Sequence, residues 1–150
     1  MLKVGDKVPD VSLPDSSGNI VSLKDFKGKK VVLFFYPEDD TPTCTNEACS
    51  FRDNIGRLRS KEVEVIGVSP DSVKSHQKFS HKYELPYTLL SDEEKNLIKA
   101  FGVWKKKLLF GRRYMGVART TFIIDERGTI AHIFENVRVK NHIQNIMEKL

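Results

Sequence analysis

The chain has 150 residues, of which 39 % are hydrophobic and 30 % charged, with a net charge of +5 and two cysteines. This balance suits one soluble globular domain, residues 1–150, which buries about two-thirds of its extended-chain surface and excludes a scaffold built on disulfides. No apolar run approaches the ~20 residues that cross a bilayer, and the start carries no signal-peptide core, so a cytoplasmic protein with no membrane partner is expected.

In chain order, the first thirty residues are rich in turn formers, among them Pro9, Pro14, Asp15, Gly18 and Asn19. The short apolar pieces Val11–Leu13 and Ile20–Leu23 predict a small N-terminal hairpin. The run VVLFFY, Val31 to Tyr36, predicts a strand buried on both faces. After Pro37 the period changes: Ala48, Phe51, Ile55 and Leu58 recur at three- and four-residue steps and mark one helix with an inward face. Val63 to Val68 reads as the next strand, and Ser69-Pro70-Asp71-Ser72 as a helix entry. That order implies parallel pairing with a right-handed crossover.

The segment WKKKLLFGRRYMGVAR, Trp104 to Arg119, contains no acid and carries much of the positive excess. It reads as a solvated loop, and no specific nucleic-acid binding is expected, because charge alone specifies no site. Trp104, Phe110 and Tyr114 read as packing residues. Thr120–Ile124 and Ile130–Phe134 flank Asp125-Glu126-Arg127-Gly128, a hairpin signal. Val139, Ile143, Ile146, Met147 and Leu150 share one side of a last helix. Together these elements predict a three-layer α/β domain with a mixed sheet.

Both cysteines lie in FYPEDDTPTCTNEACSFRD, Phe35 to Asp53. Thr41 suits a helix N-cap and Pro42 the first helical position, which puts Cys44 in the first turn among unpaired N–H groups. That position favours a thiolate. Asp39 and Asp40 oppose it, so a further positive group is required. On an intact helix Cys44 and Cys49 stand roughly 8 to 9 Å apart, beyond disulfide reach, so a bond between them requires the helix start to unwind. A metal site is disfavoured because His76, His81, His132 and His142 show no ligand spacing; each reads as a surface or satisfied residue.

Pro37-x-x-x-Thr41-x-x-Cys44 matches the active-site motif of peroxiredoxins, and TPTCTxExC resembles the PrxQ (bacterioferritin comigratory protein) subfamily. GDKVPDVSLPDSSG, VSPDS, LLSD and YMGVARTTFIID extend the likeness over essentially the whole chain. The resemblance implies a thioredoxin-like α/β/α fold around a central mixed sheet, with an N-terminal hairpin. It further implies a thiol peroxidase acting on hydrogen peroxide and organic hydroperoxides, without metal, haem or flavin cofactor. Cys44 then corresponds to the peroxidatic cysteine, Cys49 to the resolving cysteine, and Thr41 to the hydroxyl that binds peroxide. Pro37 corresponds to the pocket-shaping proline, Arg119 to the activating arginine, and Glu47 to a carboxylate that orients the arginine. Thioredoxin or a glutaredoxin-like reductant is the implied partner, and a monomer, at most a weak homodimer, the implied state. Thr43 departs from the glycine that many relatives carry there. Two other readings compete: a disulfide exchanger or redox sensor, and a basic nucleic-acid-associated protein using Lys105, Lys106, Lys107, Arg112 and Arg113.

Overall fold

The computed structural model describes residues 1–150. The strands are β1 (Ser12–Pro14), β2 (Ile20–Ser22), β3 (Lys30–Phe35), β4 (Val63–Ser69), β5 (Thr88–Ser91), β6 (Trp104–Leu109), β7 (Arg112–Val117), β8 (Thr120–Ile124) and β9 (Ile130–Phe134). The helices are α1 (Pro42–Asp53), α2 (Ile55–Arg59), α3 (Val73–Lys82), α4 (Asn96–Ala100) and α5 (His142–Met147). Strands β1 and β2 pair as the expected N-terminal hairpin.

Five strands form the central sheet in the order β5-β4-β3-β8-β9. Strands β3, β4 and β5 run parallel, while β8 and β9 are antiparallel additions, so the sheet is mixed as expected. β3 sits in the middle because its side chains are apolar on both faces. Val31, Leu33 and Phe35 enter one core with Leu97, Phe101 and Phe122. Val32, Phe34 and Tyr36 enter the other, with Cys44, Ala48, Phe51 and Ile146. The period of two in the strand thus meets the helical period of α1 on one face of the sheet. That meeting seats Cys44, only 1 % exposed, against the sheet. β4 comes very close at Gly67: a Cβ there would stand 2.7 Å from the Phe34 ring and 2.8 Å from Leu89.

Three expectations are corrected. The basic segment from Trp104 is a hairpin, β6 paired with β7 from Trp104↔Val117 to Leu109↔Arg112. Buried Val117 and half-buried Trp104 root it, and Phe110 and Gly111, at φ 50° and 76°, form a two-residue turn whose twist suits the strands. The solvated-loop reading failed because lysines and arginines mask the alternation. The single helix read through Leu58 is broken at Asn54, whose φ of −113° and ψ of 11° leave the helical range; its side chain bonds the carbonyl of Ser50. The last helix begins only at His142, because Asn141 takes a left-handed φ of 63°.

Candidate active site

The first turn of α1 is left open. Pro42 has no N–H, and Thr41 holds the extended N-cap backbone, but its side chain makes no capping bond. The Thr41 hydroxyl instead donates to the carbonyl of Glu38 at 2.9 Å, which corrects the expectation of a side-chain cap. The first helical bond runs from the Thr45 N–H to the Thr41 carbonyl, so the N–H groups of Thr43 and Cys44 have no protein acceptor. Free amides at a helix start attract negative charge and polar oxygens.

Arg119, in the short link between β7 and β8, reaches into this turn. Its Nη1 donates to Glu47 Oε1 at 2.7 Å and its Nη2 to the Cys44 sulfur at 3.2 Å. Glu47 and Cys44 can share one guanidinium because they are three residues apart on α1 and face the same way. The Arg119 carbonyl accepts from the Val137 N–H, which fixes the backbone from the far side. Burial disfavours the charge on Arg119, yet Glu47 and the sulfur outweigh it and raise its pKa. Glu47 behaves differently. Burial pushes its carboxyl up to about 7 against the pull of Arg119, and its second oxygen has no partner. The buried carboxylate is thus only half compensated.

The expected opposition from Asp39 and Asp40 is absorbed by α3. Asp39 accepts from the Tyr36 hydroxyl at 2.6 Å, the Ser75 hydroxyl at 2.8 Å, and His76 Nδ1 at 2.7 Å. The Nε2 of His76 faces the Leu90 carbonyl at 2.9 Å, so both ring nitrogens of this fully buried residue meet acceptors. Asp40 pairs outward with Lys82 and Tyr83. Pro37, half-buried, connects Tyr36, the residue after β3, to this pinned loop. The Asp39 N–H also donates to Asp71, whose carboxylate accepts from Ser69.

Asp39, Asp71 and His76 bring ligand atoms within 4.8 Å of one another, a grouping the histidine spacing did not reveal. Both Asp39 oxygens, both His76 nitrogens and one Asp71 oxygen already serve protein groups, so the donor set fits a locked loop better than an ion. His142 is likewise buried and bonded, to Thr121 at 2.9 Å; burial and then Arg119 lower its pKa to about 4.

Cys49 is half-buried on the other side of α1 and, like Cys44, is a free thiol. The helix between them is intact. Tyr87, whose hydroxyl donates to the Ala48 carbonyl at 2.7 Å, lies close enough to Glu47 and Cys49 for both to raise its pKa after burial does. Two residues missed in the sequence border the site. One is Tyr87. The other is Lys107 on β6, whose pKa is lowered by burial and by repulsion from Arg119. Nothing local in the sequence marked Lys107, because its approach to Arg119 depends on β6 folding back on β7.

The AhpC/TSA family model matches residues 4–133. A putative peroxiredoxin Bcp from Coxiella burnetii is 48 % identical over 149 residues, covering 99 % of both chains. Peroxiredoxin Bcp from Bacillus subtilis is 46 % identical over 99 % of this chain and 95 % of its own. Among solved structures, a PrxQ cysteine-to-serine variant from Xylella fastidiosa superposes with a TM-score of 0.94 at 31 % identity, covering 99 % of this chain and 95 % of that one. The bacterioferritin comigratory protein of Xanthomonas campestris, described for its alkyl peroxide reduction activity, gives 0.89 at 31 % identity over 95 % and 96 % of the two chains. These neighbours share the expected thioredoxin-like fold. A thiol at an open helix start, gripped by an arginine, is therefore found in a chain that belongs to the AhpC/TSA family and to its Bcp/PrxQ peroxiredoxins, which are thiol-dependent peroxidases.

Proposed function

We propose that Cys44 is the peroxidatic residue of this peroxidase and Cys49 its resolving partner. The Cys44 thiolate gives an electron pair to the distal oxygen of a hydroperoxide, the O–O bond breaks, and the alcohol or water leaves with a proton. The sulfur is left as a sulfenic acid. Arg119 balances the charge on the sulfur and on the departing oxygen, and Glu47 holds the arginine in place. The free N–H groups of Thr43 and Cys44 donate to the peroxide oxygens. The Thr41 hydroxyl turns from the Glu38 carbonyl to donate to them. Pro37 shapes the entry to the site and keeps bulk water from it.

Cys49 then attacks the sulfenic sulfur. Water leaves, and an intramolecular disulfide forms once the first turn of α1 has unwound. A dithiol protein such as thioredoxin or a glutaredoxin-like reductant returns both thiols. Organic hydroperoxides are included as substrates alongside hydrogen peroxide, since a relative is described for alkyl peroxide reduction. One observation carries this reading: the fork of Arg119 that touches the Cys44 sulfur and Glu47 together. We place the protein in the cytoplasm as a monomer of one domain, residues 1–150.

Stopped-flow oxidation followed by mass mapping tests the scheme. One equivalent of hydrogen peroxide should yield a Cys44–Cys49 disulfide in the intact chain and a Cys44 sulfenic acid in Cys49→Ser. Full turnover in Cys44→Ser would refute it. Faster oxidation of Cys44 by a small disulfide than by peroxide would favour a disulfide exchanger instead.

A further inference from the structure

Five of the eight large apolar side chains that the fold leaves exposed sit on one hairpin: Leu108, Leu109, Phe110, Tyr114 and Met115. Single exposed apolar residues are ordinary, but a cluster calls for a partner. Phe110, at the very tip, is 96 % exposed. The same two strands carry Lys105, Lys106, Lys107, Arg112 and Arg113, with no acid from Trp104 to Arg119. Register places Arg112 level with Leu109 and Arg113 level with Leu108, and Lys107 and Lys106 level with Tyr114 and Met115, so the cations flank the apolar side chains behind Phe110. Of the five, only Lys105 has a carboxylate partner, Glu135 at 3.7 Å.

This is an amphipathic end: Phe110 at the tip, and behind it a collar in which apolar side chains and cations stand side by side. A second copy of the chain is a poor occupant, because tip-to-tip contact brings the two collars together. A polyanion in water satisfies the arginines but leaves Phe110 and both leucines wet. An anionic bilayer meets both demands, since the tip enters the acyl boundary while the collar lies among the phosphates. The absence of a spanning segment does not bear on this, because lying on a membrane needs only an amphipathic surface.

We propose that the β6–β7 hairpin docks the protein on anionic phospholipid surfaces. The hairpin is rooted beside the active site, with Lys107 within electrostatic reach of Arg119 and Cys44. Docking therefore brings the sulfur to hydroperoxides carried by the bilayer's own lipids. That consequence, unlike the docking, rests on the peroxidase scheme above: Cys44 takes the distal oxygen, and the lipid hydroperoxide leaves as the lipid alcohol.

The test is sedimentation of the reduced, full-length protein with peroxide-free vesicles of phosphatidylglycerol and phosphatidylcholine, against phosphatidylcholine alone. Binding to the anionic vesicles only is expected. Phe110→Ser should weaken it at least about tenfold, and Arg112→Gln or Arg113→Gln about fivefold each. Hydrogen peroxide turnover should stay unchanged in all three, which shows that the variants fold. Phe110→Trp should be quenched by brominated acyl chains, measured against the native Trp104 signal. No binding at low salt overturns the proposal. So does binding that Phe110→Ser leaves intact, which would be adsorption by charge alone, or a vesicle-free dimer that Phe110→Ser abolishes. Because these arms contain no peroxide, they stand or fall separately from the catalytic scheme. A final arm compares turnover of phospholipid hydroperoxide in anionic vesicles, where Phe110→Ser should be slower than the intact protein.

Discussion

Arg119 lies 75 residues from Cys44 in sequence, yet its Nη2 donates to the Cys44 sulfur at 3.2 Å. Its other terminal nitrogen is held by Glu47, so the guanidinium cannot swing away from the sulfur without leaving a buried carboxylate unpaired. Lysine has no fork with which to serve both groups. Arg119→Lys should therefore slow the reaction of Cys44 with peroxide by about a hundredfold or more, the scale for losing a donor aimed at developing charge. Single-turnover stopped-flow kinetics measure it, and a loss below threefold would assign Arg119 to structure alone.

Glu47 and His142 should impose opposing pH dependences on stability. The Glu47 carboxyl is raised from 4.5 to about 7 by burial, so it favours the proton in the folded state. Its contribution is complete below pH 4.5 and is lost as pH rises towards 7. His142 is lowered from 6.5 to about 4, so the fold favours its neutral form. Its contribution is complete above pH 6.5 and is lost as pH falls towards 4. Between pH 4.5 and 6.5 the two offset each other. Glu47→Gln should then leave stability rising with pH, and His142→Phe should leave it falling, each with a slope of about 1 kcal/mol per pH unit. Urea midpoints across that range decide, and parallel slopes in the two variants would reject the assignment.

The pairing of His76 with Asp39 should dominate the rigidity of the loop before α1. Both ring nitrogens of His76 are engaged, and Asp39 is only 9 % exposed. His76→Phe removes one of the three side-chain donors to Asp39, with an expected cost of about 1–3 kcal/mol. At roughly 2–4 °C per kcal/mol for a chain of this size, the melting temperature should drop by about 5 °C. A calorimetric shift of only a degree or two would show that the loop is held by Tyr36 and Ser75 instead.

Thr43 sits exposed at the second position of α1. In the proposed scheme, closing the Cys44–Cys49 disulfide requires this turn to open, and a glycine there costs the helix a few tenths of a kcal/mol more than threonine. Thr43→Gly should speed disulfide formation after peroxide oxidation about twofold, with the sulfenic acid step unchanged. Quenched-flow trapping of the sulfenic acid separates the two steps.

The sequence by itself determined the sheet's central strand and the helix that carries the thiol, and its likeness to a known family pointed to Thr41, Glu47 and Arg119 as groups around it. VVLFFY can be buried on both faces only in the middle of a sheet, and Thr-Pro ahead of an inward-facing helical period signals a helix start just before Cys44. These are local signals, with period and punctuation contained in a few residues. The hairpin from Trp104 was illegible for the opposite reason. Its alternation is masked by lysines, and its strands are fixed by rooting Trp104 and Val117 in a core assembled from elsewhere. Tertiary structure alone decided that Arg119 grips Glu47 and Cys44 at once, that α3 draws Asp39 and Asp40 away from the sulfur, and that Lys107 and Tyr87 border the site. Each depends on distances between segments far apart in the chain, and periodicity carries no information about these. Only packing sets them.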